Sequence, residues 1–250
     1  MLLCALLLFG QQRLLHNKND LLPVIQKTLG VSKVKVRESI MAKKKKDTME
    51  FRFYELPQGE AALVLCGESW VRVYGHEELH LHFHNLMELG ICRQGVGDMF
   101  LDEEVYKYHS GDITIIPENF PHVTVSDGET TNFWEYIFID LRSMIETMFP
   151  GNVAFQNDAV SSLSKRAYMT NERDNHIIAE CINGIIRETN EHKTYSQRAI
   201  ALKVQEIVIE LLRHDASLPE EKNNLVKGTN MSQIASALDY INKHFEEQLK

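Results

Sequence analysis

Residues 80–122 read HLHFHNLMELGICRQGVGDMFLDEEVYKYHSGDITIIPENFPH, and the reading of this stretch decides the fold. Short runs at Met87–Cys92, Asp98–Leu101, Val105–Tyr108 and Ile113–Ile116 are broken by Gly95, Gly111, Pro117 and Asn119, and a further run, His122–Val125, starts where the stretch ends. Runs of this length between turn-forming residues are strands. The same pattern continues on both sides, with Ala62–Cys66 and Trp70–Tyr74 upstream and Phe133–Ile139 downstream. Strands this closely spaced imply an antiparallel sandwich or barrel over residues 51–142.

The stretch also carries chemistry. Residues two apart on a strand point to one face, so His82 and His84 aim together. Glu88 falls at the same parity, with Asn85 and Leu86 marking a bend between them. His122 opens a later strand that can lie alongside. Three imidazoles and a carboxylate that converge with room for solvent suit a divalent first-row metal: Zn, Fe, Mn or Ni.

Past residue 142 the period changes. Ile177, Ile178, Cys181, Ile182, Ile185 and Ile186 form one helical stripe, and Ile200, Val204, Ile207, Val208, Leu211 and Leu212 a second. Such stripes pack on the barrel, on each other, or on a second subunit. The 4-3-4 spacing of Ile200, Val204, Ile207 and Leu211 has the form of a dimer seam. Residues 215–230 (DASLPEEKNNLVKGTN) are a linker by composition. A last helix follows over 231–250, capped by Ser232 and lined by Ile234, Ala237, Leu238, Ile241 and Phe245.

Composition bounds the rest. The chain has 250 residues, 44% of them hydrophobic, and a formal net charge of −8. A surface that binds nucleic acid by itself is usually basic, so these residues do not carry a DNA contact. The four cysteines, Cys4, Cys66, Cys92 and Cys181, show no paired spacing and read as reduced thiols in a cytoplasmic protein. The apolar run MLLCALLLFG at the start is too short to span a bilayer, and it lacks the basic flank of a signal. Met41 begins MAKKKKDTMEF just before the first strand, so residues 1–50 read as an extension, with Lys43–Lys46 a solvated tail.

Two segments resemble the paired motifs of the cupin superfamily. The first runs from His82 through Glu88 to Gly95, with Gly75 one position away from the usual opening glycine. The second runs Gly111, Pro117, Asn119, His122 and Ser126, with Asn and Ser where glycine and Asn are usual. Asn at the turn is acceptable because it tolerates positive φ. The resemblance implies a fold that is mainly β with α, a cupin (double-stranded β-helix or jelly-roll) barrel over 51–142. It carries metal-ligand roles to His82, His84, Glu88 and His122.

The stretches MELGICRQG (87–95) and YKYHSGDITIIPENFPH (106–122), the continuation FWEYIFIDL (133–141) and the terminal IASALDYINKHFEEQL (234–249) resemble AraC-type transcription regulators. This resemblance implies a sensor barrel, a helical dimerisation region over 143–214, and the first helix of a truncated DNA-binding domain over 231–250. The expected partners are a small, sugar-like effector, a second copy of the chain, and DNA only through a helix-turn-helix part absent here; no membrane is involved. The effector would meet His82, His84, Glu88, His122 and Trp134, with further walls from Phe100, Tyr106 or Phe138. The alternative is a metal-dependent cupin enzyme: a dioxygenase, isomerase or decarboxylase. The helical tail would then serve no purpose, so the reading is a sensor and not an enzyme. Effector identity and the sense of regulation are not written in these residues.

Overall fold

A computed structural model describes residues 49–75, 81–102 and 104–217. The N-terminal extension, His76, His80, most of the linker and the terminal helix lie outside the described residues.

Eleven strands are present among the described residues. They are β1 (Glu50–Arg52), β2 (Leu63–Leu65), β3 (Val71–Arg72), β4 (His82–His84), β5 (Met87–Gln94), β6 (Val96–Leu101), β7 (Glu104–His109), β8 (Asp112–Ile116), β9 (His122–Ser126), β10 (Asn132–Ile139) and β11 (Tyr168–Asn171). One sheet has the order β1-β4-β9-β6-β7, and the other β11-β8-β5-β10-β2, with β3 also paired to β10. All pairings are antiparallel except β1 with β4. The fold is a cupin-like jelly-roll barrel followed by helices.

Two of the motif positions explain the turns. Gly95 has φ +124, and a Cβ there would stand 1.9 Å from Oδ1 of Asn132. Only glycine fits, because both the backbone angle and the space exclude a side chain. Asn119 adopts φ 59, the left-handed conformation that lets it replace the usual glycine.

The second sheet is covered on both faces. Cys92, Ile116, Trp134, Tyr136 and Phe138 face the interior between the sheets, with Met99, Leu101 and Tyr108 opposite. Met87, Leu89, Ile91, Ile113, Ile115, Ile137 and Ile139 face the helices. Strand residues alternate in direction, so a strand buried on both sides reads as a continuous apolar run.

The helices are α1 (Leu141–Met148), α2 (Val153–Leu163), α3 (His176–Glu191) and α4 (Ser196–Ala216). Asp140 caps α1 by accepting from the Ser143 amide at 3.0 Å, and Asn152 caps α2 by accepting from Phe155 at 3.3 Å. Both sequence stripes lie inside this single chain. Ile178, Ile182, Ile185, Ile200, Val204, Ile207 and Leu211 are buried in the cluster that joins α3, α4 and the sheet. The 4-3-4 seam is therefore spent on intramolecular packing and does not face a partner. Burying a side chain of this size contributes about 1.5–3 kcal/mol. Arg93 fastens the sheet to α3, with Nε donating to Glu135 at 2.6 Å and Nη1 to Asn183 at 2.5 Å.

Two boundaries differ from the sequence reading. Residues 143–214 are not wholly helical, because β11 extends the barrel sheet by pairing with β8. Helix α4 runs through Asp215 to Ala216, beyond the point where the linker was expected to begin. The thiols of Cys66, Cys92 and Cys181 are free. No helix among the described residues is long and apolar enough to cross a membrane.

Candidate functional site

The barrel encloses a cavity of about 780 Å³, the size of a small-molecule site. Both sheets contribute. His82 on β4 and His122 on β9 are direct cross-strand partners in the first sheet. Glu88 projects from β5 in the second sheet, between Phe138 on β10 and Ile116 on β8. The bend at residues 85–86 allows the chain to pass from one sheet to the other between His84 and Glu88. The fold thus brings together groups forty residues apart, the span from His82 to His122.

The donor atoms of His82, Glu88 and His122 lie within 4.8 Å of one another. The rings of His82 and His122 are 4.2 Å apart between centroids, and those of His84 and His122 4.9 Å. Nε2 of His122 stands 3.6 Å from Oε2 of Glu88. Two ligands held on a tetrahedral zinc are separated by about 3.4 Å, so this pair is at metal-ligand spacing.

Hydrogen bonds fix the tautomers. Nδ1 of His122 donates to the Phe120 carbonyl at 2.9 Å, which leaves Nε2 as a lone pair. That Nε2 and Nδ1 of His82 are both buried without a hydrogen-bond partner. Orphaned ring nitrogens are costly in a dry site and are what a cation would satisfy. The residues therefore fit a divalent ion held by His82, Glu88 and His122.

His84 plays a different part. It is wholly buried and is absent from the cavity wall. Its Nδ1 lies 2.6 Å from the Leu86 carbonyl and its Nε2 3.1 Å from Oε2 of Glu88; both are acceptors, and the single N–H of the neutral ring serves one of them at a time. It stands behind Glu88 and orients that carboxylate.

The electrostatics agree with a cation site. Burial lowers the proton affinity of His82 well below the ordinary imidazole value, and His122 alongside adds to this. Burial likewise lowers His84, against the opposing pull of Glu88. Burial would raise the Glu88 carboxyl, but His122 and His84 outweigh it and hold the group below its usual range. A carboxylate held ionised next to His82, whose ring resists protonation, is a ready donor pair.

Of the walls expected from the sequence, only Phe138 lines the cavity. Trp134 shares its inward face but lies further along β10, where the barrel is filled. It is fully buried, edge-on to Tyr108 at 4.9 Å and stacked on Tyr136 at 6.1 Å. Phe100 packs with Val123 on the other face of the first sheet. Tyr106 is bonded to Glu104 and is not at the wall.

The residues that sequence reasoning missed are Arg52, Tyr54, Trp70, Arg72, Tyr74 and Tyr136, all of which line the cavity. A signal was present. Arg52 and Tyr54 are two apart, as are Trp70, Arg72 and Tyr74, the spacing of a strand face, although only Arg52 and Arg72 lie in strands and Trp70 closes a 3-10 helix. Burial raises the phenols of Tyr54, Tyr74 and Tyr136, so they meet a ligand as neutral hydroxyls.

Known proteins bear on this arrangement. The family model described as the AraC-like ligand binding domain matches residues 71–211, more than half of the chain. No curated protein matches. Among solved structures the chain is similar to the AraC-like transcriptional activator CuxR, with 14% identity and a TM-score of 0.42 over 64% of this chain and 51% of that one. It is also similar to ToxT from Vibrio cholerae bound to an unsaturated fatty acid, with 9% identity and a TM-score of 0.42 over 76% of this chain and 64% of that one. A cupin 2 barrel protein from Salinispora arenicola matches 52% of this chain and 98% of its own length, with 15% identity and a TM-score of 0.22. The chain thus spans about half the length of CuxR and somewhat under two thirds of ToxT.

Proposed function

Because this chain belongs to the family of AraC-like ligand-binding domains, we propose that it is the sensor part of a cytoplasmic transcription regulator, and that a small, sugar-like effector enters the barrel and is held above a divalent metal. The carrying observation is the cavity itself, which ends in buried ring nitrogens with no partner. His82, Glu88 and His122 would hold the ion, and the ion would supply a Lewis-acidic point for a hydroxyl of the effector. Tyr54, Trp70 and Tyr136 give flat faces and hydroxyls for a polyol, and Phe138 closes the wall.

The sheet supports a route outward. Glu88 faces the cavity while its neighbours Met87 and Leu89 face the helices. Phe138 faces the cavity while Ile137 and Ile139 face the helices. An effector that favours one arrangement of this sheet would bias α3 and α4, and with them the residues that follow α4. DNA contact and a homodimer belong to this proposal as well. A dimer would use side chains that the monomer leaves exposed, such as Val153, Phe155, Tyr195 and Leu202, since the α4 seam is occupied.

The test is a thermal-shift survey of polyols on the full chain with zinc present, repeated on Tyr136→Ala and His82→Ala. The proposal expects a ligand that raises Tm in the wild type and in neither variant. A ligand that shifts all three equally binds elsewhere and overturns the cavity as effector site.

A further inference from the structure

The cavity is asymmetric in charge. Its inner end carries the buried Glu88 side chain, grouped with His82 and His122. Arg72, on the exposed strand β3, and Arg52, which is half-buried on β1, also line the wall. The two arginines are not equivalent. Arg52 gives Nε and Nη2 to the same Glu50 oxygen, at 3.0 and 2.8 Å, and its charge is spent there. Arg72 has no carboxylate within ion-pair distance among the described residues. Glu129, the other carboxylate on the wall, has an interaction of its own.

Arg72 is also held in place. Its guanidinium carbon lies 4.7 Å from the Trp70 ring centroid and 4.9 Å from that of Tyr74. Its backbone is paired with Asn132 on β10. Tyr74 is in turn anchored by donating its hydroxyl to the Trp70 carbonyl at 2.8 Å. A guanidinium packed on aromatic faces is pre-oriented, and with five N–H donors it can take an oxyanion in two parallel hydrogen bonds besides the one it shares with Tyr74.

We infer that the effector is an acidic sugar, a polyol bearing one carboxylate or phosphate, whose anion is bound by Arg72 at the cavity mouth while its hydroxyls reach toward His82, Glu88 and His122. This rests on the reading of the cavity as the effector site. The orientation follows from placement: Arg72 stands on the exposed strand β3, whereas His82, Glu88 and His122 converge inside the barrel as the donors given above to an ion. At the mouth it meets a cation that needs no new ordering. Between the ends, Tyr54, Trp70 and Tyr136 offer faces for a sugar ring.

The experiment is calorimetric titration of the full chain with glucuronate and galacturonate, with the hexose 6-phosphates, and with the parent neutral hexoses. Wild type, Arg72→Gln, Arg72→Lys and Arg52→Gln are compared. At least one acid is expected to bind about 10- to 100-fold more tightly than its neutral parent, the worth of one charge-assisted contact. Arg72→Gln should remove that preference, Arg72→Lys keep part of it, and Arg52→Gln change it little. The uronate and phosphate arms tell which anion is read. Neutral hexoses that bind as tightly as the acids, with binding lost in His82→Ala, would overturn the inference and leave the cavity reading intact. Acid binding unchanged in Arg72→Gln would overturn it too. No binding of any probe to folded protein would overturn both.

Discussion

At the scale of residues, the site is a division of labour among four polar side chains that look alike in sequence. His82 and His122 each leave one ring nitrogen buried and unpartnered, while both nitrogens of His84 lie within hydrogen-bond distance of an acceptor. Replacing His82 by Ala should therefore abolish metal uptake at little cost in stability, because His82 is half-buried on a cavity wall. His84→Ala should weaken metal binding and also cost about 1–3 kcal/mol, since it removes a wholly buried group and strands the Leu86 carbonyl and Glu88. Denaturant titration beside metal analysis distinguishes the two; equal stability losses would contradict the assignment. The pH dependence follows from the same groups. Burial holds His82 and His84 below their ordinary value, so below about pH 6.5 the unfolded chain binds protons that the folded one refuses. The metal-free protein should lose stability as pH falls from about 6.5, and Glu88 adds a further loss below the usual carboxylate range. Melts at pH 7.5 and 5.5 check this, and a Tm that rises on acidification would contradict it. The convergence of the four was legible because strand parity aligns His82, His84 and Glu88, and the cupin resemblance carries His122 to them across forty residues. The split between His84 and the others was not, because it depends on which way each ring turns after the bend at residues 85–86.

At the scale of elements, β5 and α4 show what periodicity tells and what it omits. The run Met87–Cys92 announces a strand, and its lack of polar alternation reflects a sheet covered on both faces. The stripe on α4 announces a buried face but not the identity of what buries it. In the structure α3 and the sheet do so, and a seam-like spacing satisfied the needs of a monomer core. Ile207→Asp should thus unfold the protein or cost more than about 4 kcal/mol, because an unpaired charge enters a sealed core. Leu202→Asp, on the same helix but 62% exposed, should stay within about 0.5 kcal/mol. Chemical denaturation checks both, and a folded, stable Ile207→Asp would contradict the packing described. Sedimentation of Leu202→Asp separately tests whether the exposed face carries a dimer. The strand β11 escaped the sequence reading because its four residues lie between helices and pair only with the distant β8. No local pattern encodes that pairing.

At the scale of the whole molecule, a single sheet separates a polar cavity from an apolar helical layer. Its strands present Glu88 and Phe138 to one side and Met87, Leu89, Ile137 and Ile139 to the other. The barrel and the places of most of its strands along the chain were readable from turn residues and motif spacing. The cavity's far wall was not, because Arg52 and Arg72 come from short strands whose neighbours are set by long-range pairing. The central claim is that the barrel interior ends in a donor set for one divalent ion, above which an effector binds. Cobalt(II) titration of the metal-free full chain, followed by visible absorption, tests it most directly. The account predicts a band that saturates at about one ion per chain, in keeping with one three-residue group among the described residues, and that is absent from His82→Ala and from Glu88→Gln. A featureless titration, or the same band in both variants, would contradict it.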